Sequence, residues 1–531
     1  MAAPRQRPLT LETGPWTGMY YAHPPVSDQR VFMAFNGYVD ESGIYRSRPG
    51  SYRIASTALG RGQLVYQFTK IDGTQYTVGI AGGKFYTLNW ATGVWTEVVT
   101  GANFTTATIT LSSTARCYAV TLNDKMVVSD GVNLPWTWDG TSGAGGLTKL
   151  SNCPVLYGQP TVYYAKLFGI KNTERSTVVW SEENDPTTGY EAGGFNNAWT
   201  LSQTGSDPLF AIRATNEGLY YWRQRSIGVV RGAVDDDFTN SGVLDAVSNL
   251  VGTRSPAGVL YYGGAFYFPD EYGRPTMFES GGGVQSLWSQ VALAYTLDAN
   301  DAVYLGSGPN LAKTAAEIAV METLPIRAVD RVLFRFAQAV TTPAAVDAAM
   351  CFTRDGVAQG FWTPVHIGTV GGEVLNSVTN LPELLEIDSV NGISYAMGKA
   401  GQWVDQDDTG ANVAVTLTVT LPRMAANPVM ELHFDRAHAI VGARSAGSIT
   451  VALAAANSRQ QLNNFTQLSQ AVTSSITTEE KRIAYGLNKQ GRWAQMTFTI
   501  THTSLAAAGF SLALYSASII GYPVSLTSGV P

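Results

Sequence analysis

Gln75-Tyr76-Thr77-Val78-Gly79-Ile80-Ala81-Gly82-Gly83-Lys84-Phe85-Tyr86-Thr87-Leu88 reads as two apolar, aromatic strands folded back on each other across a bare Gly-Gly pair. A two-residue hairpin loop needs positive φ at its centre, which glycine supplies without steric cost. The flanks, β-branched or aromatic, suit a pleated and half-buried surface. Val259-Leu260-Tyr261-Tyr262, Gly263-Gly264 and Ala265-Phe266-Tyr267-Phe268 repeat the device. Asp72-Gly73 repeats it again between residues 64–68 and 76–78. The hairpin is the unit of construction.

Outward from these hairpins, short strands follow one another from about residue 50 to 300, with a turn signal every few residues. Cys117-Tyr118-Ala119-Val120, a turn at Asn123-Asp124, Lys125-Met126-Val127-Val128 and Pro135-Trp136-Thr137-Trp138 form one such series. Later series include Lys166-Leu167-Phe168-Gly169-Ile170, Thr177-Val178-Val179-Trp180-Ser181 and Leu219-Tyr220-Tyr221-Trp222. Many short antiparallel strands at even spacing mean a sandwich, barrel or propeller. Four strands per repeat, with a Trp or Tyr recurring in each, favour the propeller. Helical signal is confined to Leu311, Ala315, Ile318 and Ala319 on one face of a short segment, and to residues 286–295.

The expected plan is all-β in three parts. Residues 1–30, rich in Pro and Gly, read as an extended arm pairing with a neighbour. Residues 31–400 read as the propeller-like domain, less regular and partly helical near 300–400. The polar break around Asp405-Gln406-Asp407-Asp408-Thr409-Gly410 precedes clean alternation in residues 413–419, 448–453 and 496–500. Residues 411–531 are therefore expected to fold as a separate C-terminal β-sandwich. The uncharged run from Ser504 to Leu526 alternates with a period of two at Phe510, Leu512 and Leu514, so a strand is expected there rather than a membrane span.

The 531 residues carry a formal charge of −6, and only 14% of them are charged. DNA binding through phosphate neutralisation requires an excess of Lys and Arg, so sequence-specific DNA binding is not expected. Little charge with 54 Gly, 25 Tyr and 12 Trp fits a β-rich chain that hides surface in an assembly. Cys117, Cys153 and Cys351 lie far apart and read as small buried apolar residues, not as a disulfide or zinc framework. No apolar leader follows Met1, so no secretory signal is expected.

The chemistry-bearing residues assemble no catalytic set. His433 and His438 are five apart in a strand-and-loop region and, with His23, His366 and His502, read as exposed or hydrogen-bonded. Glu182-Glu183-Asn184-Asp185 and Asp235-Asp236-Asp237 are acidic runs. Propellers host glycosidases that work with carboxylate pairs, but solvated turn carboxylates are the plainer reading, with a divalent ion as a third. Asp405, Asp407 and Asp408 before Gly410 echo a calcium loop without its later Glu. Arg46-Ser47-Arg48 and Arg223-Gln224-Arg225 read as solvated turns, or as arginines fixed to carboxylates across subunits. Trp90, Trp95, Trp136 and Trp138 read as core residues, with sugar stacking as the other use. No catalytic, cofactor-binding or metal residue is assigned, and neither hydrolase nor transferase activity is expected.

Three passages together resemble the tail-nozzle proteins of short-tailed bacteriophages, also called packaged-DNA stabilisation or tail hub proteins. The first runs from Asn36-Gly37-Tyr38 to Arg46-Ser47-Arg48-Pro49-Gly50 and is similar to that family's strand ending in an Arg-Pro-Gly turn. The second joins residues 166–170 to Trp180-Ser181-Glu182-Glu183-Asn184-Asp185-Pro186, and continues through 207–227 to Val251-Gly252-Thr253-Arg254-Ser255-Pro256. The third is Lys489-Gln490-Gly491-Arg492-Trp493. The likeness covers residues 31–300 and 411–525. It implies a virion structural protein, assembled in the host cytoplasm into a homohexameric ring below the portal and adaptor. Such a ring is a conduit and plug for DNA during ejection, with sites for fibres or spikes and no specific DNA binding. The alternative reading is a propeller-based glycan-binding or glycan-cleaving tail component that contacts the host surface.

Overall fold

Two adjacent glycines, Gly82 (φ 57°) and Gly83 (φ 75°), turn strand Gln75–Ala81 into Lys84–Asn89, and Gly263 (φ 62°) with Gly264 (φ 90°) does the same between Leu260–Tyr262 and Ala265–Pro269. In the computed structural model, residues 9–13, 15–19, 30–55, 57–191, 197–201, 207–232, 243–279, 283–295, 314–336, 349–363, 368–388, 392–399, 401–422, 432–442, 447–456, 470–476, 480–502 and 511–523 are described.

Among these residues the hairpins build seven antiparallel blades, numbered here 1 to 7, with four strands in each except blade 3, where Asp185–Gly189 adds a fifth. Blade 1 runs from Gly62–Thr69 to Val94–Val99 and blade 2 from Tyr118–Leu122 to Leu147–Lys149. Blade 3 runs from Leu156–Tyr163 to Ala198–Thr200, blade 4 from Leu209–Thr215 to Val243–Ser248, and blade 5 from Leu260–Tyr262 to Val284–Ser286. Blade 6 runs from Glu322–Ile326 to Ala358–Trp362. Blade 7 has only three consecutive strands, Gly368–Asn376, Leu381–Asp388 and Ser394–Met397. Its fourth is Ser51–Ala55, from ahead of blade 1, paired from Ser394↔Ala55 to Met397↔Ser51.

The first strand of each blade faces a common axis. Gly62–Thr69 lies against Tyr118–Leu122, that against Leu156–Tyr163, and that against Leu209–Thr215. On the other side Leu260–Tyr262 lies against Glu322–Ile326, that against Gly368–Asn376, and Gly368–Asn376 returns to Gly62–Thr69. Apolar cores fill the spaces between blades. Phe68, Phe85, Trp136 and Trp138 lie between blades 1 and 2, and Leu122, Val127, Leu167 and Val179 between blades 2 and 3. Phe168, Trp180 and Tyr221 lie between blades 3 and 4, and Trp222, Tyr220 and Phe266 between blades 4 and 5. Leu333, Trp362 and Leu384 join blades 6 and 7, and Val374, Ile387, Val65 and Trp95 join blades 7 and 1. A blade buried on both faces needs apolar residues at consecutive positions. Tyr220-Tyr221-Trp222 meets that need by serving the two neighbouring cores in turn. Among the described residues, blades 1 to 7 form a seven-bladed propeller.

The C-terminal strands do not stand alone. They lie in two sheets packed across one core that includes Phe434, Val441, Leu514 and Ile519 from one side and Val419, Val451, Phe498 and Ile500 from the other. One sheet runs in the order Lys481–Gly491, Leu432–Gly442, Ala513–Pro523, Tyr45–Ser47, Gly37–Val39, and Leu9–Thr13 also pairs with Ala513–Pro523. The other is blade 6 continued: Ala358–Trp362 pairs in parallel with Met33–Phe35, which pairs with Thr416–Thr420 and onward to Trp493–His502, Gly447–Ala456 and Gln470–Ile476. The expected division at 405–410 is therefore not where the sheets divide, because residues 33–47 close edges in both. Within the arm, Leu9–Thr13 pairs with Ala513–Pro523 of the same chain. Within the run expected as a strand, Ala513–Pro523 is one, while residues 504–510 and 524–526 lie outside the described residues, and no helix among the described residues is long and apolar enough to cross a membrane.

Of the helical expectations, Ala315–Ala319 is an α-helix whose capping box joins Thr314 to Glu317, and Trp288–Tyr295 is two 3₁₀ pieces that meet at a kink at Val291 (φ −133°). Leu311 lies outside the described residues. A further short helix, Gly101–Thr106, is capped by the Thr100 side chain and buries Phe104.

His502 ends strand Trp493–His502 and is 4% exposed. Burial pulls its pKa down to about 4, whereas an unfolded imidazole titrates near ~6.5. As pH falls, the unfolded chain takes up this proton first, so the stability lost lies between about 6.5 and 4 and is fully present above that window. His502→Phe should flatten the decline in melting temperature across this window, measured by circular dichroism at pH 7 and pH 4.5.

Candidate functional site at the propeller axis

The seven inner strands leave a cavity of about 420 Å³ on their axis, lined from every blade: residues 64–67, 116–119, Gln159, Arg213, Ala257 with 259–261, 322–325 and 371–373. Its size falls in the range of small-molecule sites, roughly 300–1,000 Å³. Polar side chains stand in strands that are otherwise apolar. Glu322 accepts from Arg116 and from Arg335 Nη1 at 3.0 Å, and its Oε1 also accepts from the Gly371 amide at 3.3 Å. Arg335 Nη1 reaches Glu386 Oε1 at 3.0 Å as well. Glu373 Oε1 pairs with Arg327 Nε at 2.9 Å, and burial raises its carboxyl above the usual range despite that partner.

Arg213 is held differently. Its Nε, Nη1 and Nη2 donate to the carbonyls of Val259 (3.0 Å), Ile212 (2.7 Å) and Pro256 (3.1 Å), tying blade 4 to blade 5. Desolvation pulls its pKa down to about 10. Tyr118, also in the lining, is pushed up to about 12 by burial, with Arg116 opposing.

A second polar cluster joins the propeller to the C-terminal sheets. Arg48 and Asp405, each 1% exposed, form a bidentate pair at 2.9 Å (Nη1–Oδ1) and 2.5 Å (Nη2–Oδ2). Arg48 Nε donates to Asn36 Oδ1, and its Nη groups also reach the carbonyls of Pro49 and Thr363. Asp405 Oδ1 accepts from the Ser51 amide and hydroxyl. The expectation that Arg46-Ser47-Arg48 is a solvated turn is overturned at Arg48, because its partner lies 357 residues away in sequence. Arg46 pairs with Asp40 at 2.5 Å. Arg223 is likewise buried, donating to the carbonyls of Asp207 and Leu201, while exposed Arg225 pairs with Glu271 at 2.9 Å.

The residues singled out for chemistry are dispersed. Glu182 accepts from Asn197 Nδ2 at 2.8 Å and Glu183 is exposed. Burial would raise the Asp185 carboxyl, but donors from Thr187 and Thr188 outweigh it and hold it below the usual range. Asp235, Asp236 and Asp237 lie outside the described residues, as do His23 and His366. The calcium-loop echo is not a ligand cluster: Asp405 faces Arg48, Asp407 accepts from Thr409 and Ala411, and Asp408 takes the Tyr395 hydroxyl. His438 meets Arg482 at 3.3 Å on the outward face of its strand, and His433 is half-buried there too. Sugar stacking is not open to Trp136 or Trp138, buried against Phe85, nor to Trp95, whose Nε1 donates to Ser394. Trp90 is half-buried and donates to Thr77. All three cysteines are buried and free, and burial pushes Cys351 up to about 12.

No protein-family model matches the chain, and no curated protein matches it either. Among solved structures it is similar to the extracellular domain of a putative one-component system from B. thetaiotaomicron (8% identity, TM-score 0.38), over 64% of this chain and 39% of that one. It is also similar to a calcium-binding protein, regucalcin, from Agrobacterium tumefaciens (9% identity, TM-score 0.30), over 66% of this chain and 94% of that one.

Proposed function

We propose that the chain is a structural subunit of a virion tail, the nozzle or hub ring of a short-tailed bacteriophage. The observation that carries this reading is that two of the three passages resembling that family sit at joints of the fold. The Arg-Pro-Gly turn supplies Arg48 to the buried pair that joins the propeller to the C-terminal sheets. In Thr253-Arg254-Ser255-Pro256, Thr253 Oγ1 donates to the Pro269 carbonyl and Ser255 Oγ to that of Met321, tying blade 5 to the segment entering blade 6. Exposed apolar side chains support a surface made for contact. Ile71, Tyr164 and Val378 stand at the first hairpin of blades 1, 3 and 7, which a four-strand meander places on one face.

In this reading DNA runs between subunits, because an axial cavity of about 420 Å³ crossed by ion pairs is no passage for a duplex. Six copies closing by one heterologous contact would form the ring. Portal or adaptor and fibre or spike proteins would be its partners, and no catalytic step is assigned to it. Light scattering on the purified chain should give a closed oligomer, with duplex DNA bound only weakly near physiological salt, since the net charge is −6 per chain. A monomer at every concentration, or tight duplex binding, contradicts the reading.

A second reading, a propeller that binds glycans, is favoured by one observation: buried polar atoms without partners lie around the axial cavity.

A further inference from the structure

Three lining residues of the axial cavity carry buried side-chain atoms with no hydrogen-bond partner: Arg116 Nε in blade 2, Thr323 Oγ1 in blade 6 and Glu373 Oε2 in blade 7. Thr323 is 4% exposed. A polar group buried without a partner loses its bonds to water and gains none in return, and three in one cavity mark a place where a ligand supplies the missing bonds. They are also mixed in kind: Arg116 Nε donates only, Glu373 Oε2 as a carboxylate accepts only, and a threonine hydroxyl does both. A group that both donates and accepts can serve all three, and a hydroxyl is such a group.

The charges around the cavity leave one over. Arg116 and Arg335 are matched by Glu322 and Glu386, and Arg327 by Glu373. Arg213 pairs with no carboxylate among the described residues. Its three bonds go to neutral carbonyls, which leaves two of its five N–H donors for a ligand. A divalent cation would meet this surplus positive charge. Inorganic phosphate, essentially an acceptor, would leave Glu373 unpaired and close to its own charge.

We propose that the axial cavity binds a small polyhydroxylated carboxylate, a sugar acid of monosaccharide size, whose carboxylate is matched by Arg213 and whose hydroxyls complete Arg116, Thr323 and Glu373. The inference deepens the glycan reading and rests on it for the class of ligand. It is independent of whether the chain also builds a ring.

The test is calorimetric titration of the full chain with glucuronate, glucose and inorganic phosphate, beside a glycan-array scan of the same protein. Glucuronate is expected to bind at least tenfold more tightly than glucose, and phosphate not at all. Thr323→Val, which removes an unpaired hydroxyl at nearly constant volume, should weaken glucuronate about tenfold without lowering the melting temperature. Arg213→Lys, which keeps the charge but loses the fork, should narrow the preference over glucose. Equal affinity for glucuronate and glucose, binding indifferent to both substitutions, or no heat with glucuronate overturns the proposal. Array binding that survives Thr323→Val and Arg213→Lys overturns the cavity site while leaving the glycan reading standing. A blank array with no heat removes both.

Discussion

Arg48→Ala is expected to lower the stability of the chain by about 3–5 kcal/mol, the loss typical when one partner of a buried ion pair is removed. The magnitude follows from what stays behind. Asp405 would keep a buried carboxylate that has lost its cation, although the Ser51 amide and hydroxyl still donate to it, and Asn36 Oδ1 and the carbonyls of Pro49 and Thr363 would each lose a donor. The damage reaches the propeller, because Ser51–Ala55, the closing strand of blade 7, begins two residues beyond Pro49. Arg48→Lys keeps the charge but loses the bidentate geometry and should fall between. Chemical denaturation of Arg48→Ala, Asp405→Asn and the double variant measures the coupling. Additive losses, or a loss below about 1 kcal/mol for Arg48→Ala, would show that the pair does not join the two parts.

The fragment 411–531 is expected not to fold cooperatively by itself. It retains its own strands but loses Met33–Phe35 from the edge of Thr416–Thr420, and both Leu9–Thr13 and Tyr45–Ser47 from the edge of Ala513–Pro523. Two long edges with unpaired amides and carbonyls then face water, a template for aggregation. Circular dichroism should show a broad, concentration-dependent melt. Residues 1–49 joined to 411–531 through a flexible linker should sharpen it into a single transition. A sharp, reversible melt of 411–531 alone would show that the N-terminal strands are dispensable.

These outcomes mark what could be read in the sequence. The hairpins were legible because each is local: Gly82-Gly83 and Asn123-Asp124 (φ 47° and 59°) announce their own turns. The all-β class and the propeller pattern follow from repeating them. The closing of blade 7 by Ser51–Ala55 was not legible, since a strand pairing with residues more than 300 positions away carries no local mark. The same distance hid Arg48 and Asp405, whose residue types suggest a turn and a polar break until the fold brings them together. By sequence alone residues 33–47 read as part of the propeller, because their strands look like any others, and only pairing shows that they complete the C-terminal sheets. The axial residues were missed although a signal existed. Arg213 in Ala211-Ile212-Arg213-Ala214, and Glu322 before Thr323-Leu324-Pro325, are charges inside runs that otherwise read as buried strand. A charge there needs either a partner or a ligand.

Electron cryomicroscopy of an assembled tail containing this chain tests the central claim most directly. The account predicts several copies in a closed ring about the tail axis, DNA density between the copies, and each propeller axis closed to it by the Arg116–Glu322–Arg335 pairs. A single off-axis copy, copies that close no ring, or DNA threaded through a propeller axis would contradict it.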